Sequence, residues 1–194
     1  DVCCSALDEM NSGLSHGIGM TSQRTRTRMI ERLRESGIRN EAVLAAMAKV
    51  PRHVFVEEAL ASRAYEDTAL PLGMGQTISQ PFIVARMIEL LLNGRQSIGK
   101  TLEVGAGCGY QAAVLAQLSS EVYAVERLGP LLEKAKSHMR TLQQFNVRLK
   151  HGDGQLGLPE AGPFDSIIVA AAGTQIPLPL LEQLSPGGRL ILPV

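Results

Sequence analysis

TLEVGAGCGYQAAVLAQL (101–118) decides how this chain is read. Its opening, Thr101 to Val104, is β-branched or apolar apart from Glu103, and predicts a strand. Glycines follow at alternate positions, Gly105, Gly107 and Gly109, and QAAVLAQL (111–118) then predicts a helix. Glycines at such a junction let the backbone turn sharply and approach a ligand closely, while the helix start offers free N–H groups. The dinucleotide fingerprint GxGxxG/A is not met, because its last position is Tyr110, too bulky for tight helix packing over a pyrophosphate.

Downstream the alternation continues. EVYAV (121–125) predicts a strand ending at Glu126, followed by a helix from about 130 to 143. NVRLK (146–150), the loop HGDGQ and the buried-type strand FDSIIVAA (164–171) come next, then a short helix PLPLLEQL (177–184), a Pro-Gly-Gly turn and the strand RLILPV (189–194). Strands alternating with helices imply an α/β fold, a doubly wound, Rossmann-like parallel sheet covered on both faces.

Upstream, residues 20–99 predict N-terminal helices and a loop, and residues 1–19, without periodicity, a flexible extension to a domain spanning 20–194. A basic helix is expected over 25–36, with Met29, Ile30 and Leu33 on one side and Gly37 as its stop. The five arginines between 24 and 34 are read as a solvated face, since glutamate interrupts them and no aromatics interleave. Asn40 caps a second helix carrying Val43, Leu44, Met47 and Val50, ended by Pro51. Residues 65–80 read as a loop rich in Gly and Pro. An amphipathic helix follows, with Ile83, Val84, Met87, Ile88, Leu91 and Leu92 on its apolar side, Pro81 in its first turn and Gly94 at its stop.

Composition narrows the function. Nineteen basic and nineteen acidic residues in 194 leave no net charge, which argues against a protein built to neutralise phosphate backbones. Aromatic residues are 4% of the chain and Trp is absent, so base-stacking platforms are not expected. No apolar run, Ala42 to Ala48 and Ile167 to Ala172 included, comes near the roughly 20 residues of a membrane span. Three cysteines without a CxxC pair give neither a zinc signature nor a disulfide framework, which fits a cytoplasmic protein.

Three loops at the carboxyl ends of consecutive strands then converge on one crevice. Glu126 lies 21 residues after Gly105, where a doubly wound sheet delivers a carboxylate to ribose hydroxyls. By itself it would be a solvated strand-end acid. Asp153, in His151-Gly-Asp-Gly154, can accept from an adenine amino group or simply form an Asp-Gly turn. The spacing GxGxG after Glu103 matches the first motif of S-adenosylmethionine-dependent methyltransferases.

Beside these readings, the chain closely resembles the protein-L-isoaspartate O-methyltransferases, from about Thr21 to Val194. The specific block is GQTISQPFIVARM (75–87), with PRHVFVEEALASRAYEDTALPLG (51–73) before it. LEVGAGCGYQAAVLA, VYAVER, HGDG, FDSIIVAAA and LSPGGRLILPV follow in family order. The resemblance implies transfer of a methyl group from S-adenosylmethionine, leaving S-adenosylhomocysteine, to the free carboxylate of isoaspartyl residues in damaged proteins. The ester then collapses to a succinimide. It also implies roles: Thr77, Ile78 and Ser79 in a loop closing over the cofactor, with Ser79 catalytic. Glu103 would belong to the cofactor site, Gly105, Ala106, Gly107 and Gly109 would line the methionine part, Glu126 and Arg127 would face the ribose and adenine, and Asp153 and Gly154 the adenine edge. Cys108 stands where the family more often has Ser or Thr, and is read as an inert, semi-buried thiol.

The acceptor carboxylate is ionised at pH 7, so no strong base is needed. His53, His138 and His151 read as loop, helix-surface and turn residues. Ser79 would hold one carboxylate oxygen; its simpler use is to cap the helix at Pro81. The expected partners are isoaspartyl proteins and peptides, with no metal, nucleic acid or membrane, and the expected state is a monomer. Family members continue beyond PGGRLILPV, so C-terminal strands are expected to be missing, strand 189–194 to be an exposed apolar edge, and a chain extended there to be more soluble and active. The competing readings are a small-molecule methyltransferase, a cofactor-binding module without turnover and an oxidoreductase.

Overall fold

The structure, a computed structural model, describes residues 18–170 and 175–193. The expected extension over 1–19 thus falls almost wholly outside the described residues, as do Ala171 at the end of the expected strand 164–171 and Val194 at the end of 189–194.

Helix α1 (Gln23–Glu35) starts two residues earlier than its apolar rhythm suggests, because the Ser22 hydroxyl accepts the Thr25 N–H at 3.4 Å. It buries Met29, Ile30 and Leu33 as expected. It also buries Arg26, correcting the reading of a fully solvated basic face. The Arg26 guanidinium donates to the Tyr65 hydroxyl at 3.2 Å and to the Ala48 carbonyl at 3.1 Å. Helix α2 (Glu41–Lys49) is capped by Asn40, whose side-chain oxygen accepts from Ala42 and Val43.

The segment 65–80 is more than a loop. It holds an antiparallel hairpin, β1 (Leu70–Gly73) and β2 (Gln76–Ile78). Met74 and Gly75 between them both have positive φ, the requirement of a two-residue type I′ turn. Helix α3 (Pro81–Leu92) follows at once, with Pro81 in its first turn. Val84, Ile88, Leu91 and Leu92 are each at most 1% exposed. Full burial of such a side chain is worth roughly 1.5–3 kcal/mol, so this one face fixes the helix against the sheet. Ile83 is 38% exposed and does not belong to that face. At the helix end Asn93 and Gly94 take positive φ, and Arg189 donates to the last carbonyls, of Leu91, Leu92 and Asn93.

The remaining elements are β3 (Gly99–Val104), α4 (Tyr110–Leu115), β4 (Ser119–Glu126), α5 (Gly129–Thr141), β5 (Val147–His151), β6 (Phe164–Val169), α6 (Leu178–Glu182) and β7 (Leu184–Ile191). The five later strands form one parallel sheet in the order β5-β4-β3-β6-β7. The chain winds outward from β3 to one edge, then crosses back to the other. The order therefore reverses between β3 and β6, and a doubly wound sheet opens its crevice there. Alternation along β3 and β6 sends Leu102, Val104, Ile167 and Val169 to one face and Ile168 to the other. Both faces are covered, which is why these strands read as apolar runs rather than as alternating ones.

Two boundaries differ from expectation. Helix α4 is only six residues long, because 116–118 turn directly into β4. The Pro-Gly-Gly of 186–188 does not precede the last strand but bulges within it, where the β6–β7 register slips between Phe164↔Leu184 and Ser166↔Arg189. β7 is an edge strand, and residues 189–193 at its end and just beyond it are half-buried.

Candidate active site

A cavity of about 320 Å³ opens beside the carboxyl end of β3, at the strand-order reversal. That is within the usual range of small-ligand sites, roughly 300–1,000 Å³. One wall is the glycine loop 105–108, the other the hairpin arm 75–79; Glu103, Tyr110, Gln111, Glu126, Leu72, Val84 and Ala170 complete it.

The glycine wall is sewn to the sheet. The Gly105 and Ala106 N–H groups both donate to the Val125 carbonyl, at 2.9 and 3.1 Å. Glu126 ends β4 and sits 6% exposed, so its carboxylate needs partners. It takes the Gly107 N–H on Oε2 and the Leu128 N–H on Oε1, both at 2.8 Å. Glu126 thus fixes the shape of the loop and borders the cavity at once.

Glu103 is different. Period two on β3 turns it inward, it is 0% exposed, and neither carboxylate oxygen has a hydrogen-bond partner. Burial, reinforced by the nearby negative charge of Glu126, pushes its carboxyl well above the usual carboxylate range. An unpartnered acid in a cavity wall is expensive to bury and calls for a donor from a ligand.

The hairpin wall is held at its base. Asp67 Oδ1 accepts the Phe82 N–H of α3 at 2.8 Å, doing from fifteen residues away what an N-cap side chain does locally. The expected local use of Ser79 as a helix cap does not occur: Gln80 is the N-cap residue, without a side-chain bond. Ser79, half-buried on the cavity wall, makes no side-chain hydrogen bond among the described residues, so its hydroxyl is available. Arg52, fully buried, donates to the Ala64 carbonyl at 2.8 Å and lies 4.8 Å from the Tyr110 ring centre, tying the foot of this arm to α4.

Of the residues singled out from sequence, the structure gathers Thr77, Ile78, Ser79, Glu103, Gly105, Ala106, Gly107 and Glu126 around the cavity. Gly109, Arg127, Asp153 and Gly154 are not in its lining. Gly109 begins α4 with φ 87°, and a Cβ there would lie 3.0 Å from Met139 and 3.2 Å from Ala135, so it serves the packing of α4 on α5. Gly154 presses on β3, where a Cβ would come within 2.3 Å of Val104 Cγ1. Asp153 is exposed and accepts the Gln155 N–H at 2.9 Å, the turn role weighed for it. Arg127 is exposed, and its carbonyl accepts from His151 Nε2 at 3.0 Å.

The remaining polar groups do not supply a base. Cys108 is 3% exposed, deeper than expected, and burial pushes its thiol up to about 11. His138 is not a surface residue: Nδ1 donates to the Cys108 carbonyl at 2.8 Å, its ring meets Phe55 edge-on, and burial holds it below the usual imidazole range. Among the described residues no cluster of metal-ligating side chains is present, and no helix is long and apolar enough to cross a membrane. Gln111, Leu72 and Val84 line the cavity without having been singled out, as does Tyr110, read only as an obstacle to a dinucleotide. Only Gln111, a polar residue leading an apolar helix, left a trace in sequence.

Comparison with known proteins identifies the family. Residues 24–194 match the family model described as protein-L-isoaspartate(D-aspartate) O-methyltransferase. The chain is 88% identical over 179 residues to the protein-L-isoaspartate O-methyltransferase of Dechloromonas aromatica, covering 92% of this chain and 83% of that one. It is 62% identical over 185 residues to that of Methylobacillus flagellatus, covering 95% and 82%. Among solved structures it is similar to a protein-L-isoaspartate O-methyltransferase with TM-score 0.78 and 32% identity, over 87% of this chain and 55% of that one. A putative protein-L-isoaspartate O-methyltransferase from Plasmodium falciparum, in complex with S-adenosyl-L-homocysteine, matches with TM-score 0.76 and 26% identity, over 87% and 83%. The glycine wall, the hairpin arm and the cavity between them therefore belong to a member of the protein-L-isoaspartate(D-aspartate) O-methyltransferase family.

Proposed function

We propose that this chain transfers a methyl group from S-adenosylmethionine to the free carboxylate of L-isoaspartyl residues in damaged proteins and peptides, beginning their repair through a succinimide. The observation that carries the reading is Glu103, buried in the cavity wall with both carboxyl oxygens unpartnered. The ammonium of a methionyl group supplies the missing donor and restores the favourable charged form. Glu126, at the end of the neighbouring strand, would take the ribose hydroxyls. The cofactor, when bound, supplies an electrophilic methyl on a sulfonium.

The chain's own residues have three tasks. The acceptor is ionised at neutral pH, so no base is needed; Cys108 and Tyr110, held protonated by burial at about 11 and about 12, are not called on as one. What is needed is alignment and removal of water from the carboxylate. Thr77, Ile78 and Ser79 form the arm that closes on the acceptor, and the unengaged Ser79 hydroxyl holds one carboxylate oxygen. Gly105, Ala106 and Gly107 offer backbone to the methionyl part. Arg127, Asp153 and Gly154 lie beyond this cavity and are assigned only to the adenine side, with Gly109 keeping α4 in place.

The same reading takes the protein as a cytoplasmic monomer with no nucleic-acid partner, in keeping with its zero net charge. Incubation with S-adenosylmethionine and a peptide containing one isoaspartyl residue tests the reaction. The expected product is a base-labile methyl ester that yields succinimide and then aspartyl peptide. Undiminished isoaspartyl peptide after many turnover times, with the protein folded, contradicts it.

A further inference from the structure

Five buried side-chain nitrogen or oxygen atoms lack a hydrogen-bond partner among the described residues, on Arg52, Arg95, Glu103 and Gln111. The two arginines lie outside the cavity wall, and each satisfies other nitrogens on carbonyl or hydroxyl oxygens. Glu103 and Gln111 both line the cavity. Gln111 is 7% exposed, on the first turn of α4, and its unpartnered atom is Nε2. Leaving such a donor unsatisfied is destabilising, and leaving an acid in the same cavity lining without a donor more so. The Gln111 amide and the Glu103 carboxyl are not bonded to each other, so each waits for a different group.

The two orphans have opposite needs. A carboxylate accepts from an ammonium, and an amide N–H donates to a carboxylate. An α-amino acid presents these two groups on one carbon. Within the reading above, the cofactor's methionyl end is the part with that character, whereas ribose and adenine carry neither group. We propose that Gln111 is a binding residue for the cofactor's α-carboxylate, its Nε2 donating to one carboxylate oxygen while Glu103 takes the ammonium. The cavity thus distinguishes amino-acid-bearing adenosyl compounds from plain adenosyl thioethers through two buried side chains rather than through the glycine loop alone. The assignment rests on the cofactor reading, and the test separates the two.

The test is calorimetric titration of the full chain with S-adenosylhomocysteine and with 5′-methylthioadenosine, which lacks the amino-acid end. Wild type binds both, the first more tightly; absence of S-adenosylhomocysteine binding by folded wild type overturns the cofactor reading itself. Gln111→Leu removes the donor at similar volume, and is expected to weaken S-adenosylhomocysteine about 10-fold while leaving 5′-methylthioadenosine within 2-fold. Gln111→Glu places a like charge by the carboxylate and is expected to weaken S-adenosylhomocysteine further, again sparing 5′-methylthioadenosine. Unchanged 5′-methylthioadenosine affinity also reports that the variants fold. Equal losses for both compounds overturn the proposal. Unaltered affinities with a raised KM for isoaspartyl peptide overturn it too, and assign the amide to the acceptor.

Discussion

The two walls of the cavity are built on different physics. The glycine wall is held by backbone hydrogen bonds from Gly105, Ala106 and Gly107 to Val125 and Glu126, and by close packing of Gly109 on α5. The hairpin wall is a three- and four-residue strand pair with exposed Gly73, Met74, Gly75 and Thr77, anchored at its foot by Asp67 and by Arg52. A wall without slack suits a cofactor that must present one atom at one place. A lightly held arm suits an acceptor that arrives as part of a protein chain and must be closed upon.

Changes on one wall should therefore move turnover and changes on the other affinity. The largest effect is expected from Ser79→Ala: kcat for isoaspartyl peptide falls about 100-fold, with S-adenosylhomocysteine affinity within 2-fold of wild type. Unchanged turnover would show that the free hydroxyl does not align the acceptor. Glu126→Ala is expected to weaken S-adenosylhomocysteine about 30-fold, since it unties the Gly107 N–H and removes the proposed charged partner of the ribose. A calorimetric constant equal to wild type removes the ribose contact. Asp67→Ala should cost about 1 kcal/mol of stability, as losing a cap does, and lower kcat about 5-fold with cofactor affinity intact. Asp67→Asn keeps an acceptor oxygen and should restore the rate; a slow Asn variant would reject the anchoring role.

The remaining effect concerns pH. The Glu103 carboxyl is raised in the folded protein. Folded and unfolded chains both hold its proton below the unfolded value, near ~4.3, so no penalty exists there. As pH rises the unfolded chain releases the proton first, and wild type loses stability by up to about 1.4 kcal/mol per pH unit until the folded value is passed. Glu103→Gln without ligand should be free of this loss, so the variant gains on wild type from acid to neutral pH in urea unfolding. Parallel stability curves would mean that Glu103 finds a partner.

Much of this was legible in sequence because it is local. The Asn40 cap, the apolar face of α3, the glycine run and Glu126 at the end of β4 all follow from nearest neighbours along the chain. What escaped depends on distant partners. Arg26 reads as a surface cation because its acceptor, Tyr65, lies 39 residues away. Asp67 reads as one more loop acid, since the helix it caps begins beyond an intervening hairpin. That hairpin is too short for its alternation to stand out among Pro71, Gly73 and Gly75. The slip at 186–188 follows from how β7 pairs with β6, which no local pattern encodes. Asp153 shows the opposite limit: its side chain makes the local Asp-Gly turn that the sequence offered beside an adenine contact, and the adenine contact stays a proposal.

The arm 77–79 is proposed to close over the free α-carboxylate of a residue whose main chain runs through its side-chain carbonyl. The most direct test is kcat/KM for methyl transfer from S-adenosylmethionine to two peptides of identical sequence, one with an isoaspartyl linkage and one with the ordinary aspartyl linkage. The account predicts ready esterification of the first and none measurable of the second. Equal rates on both, or transfer only to a small molecule, would contradict it.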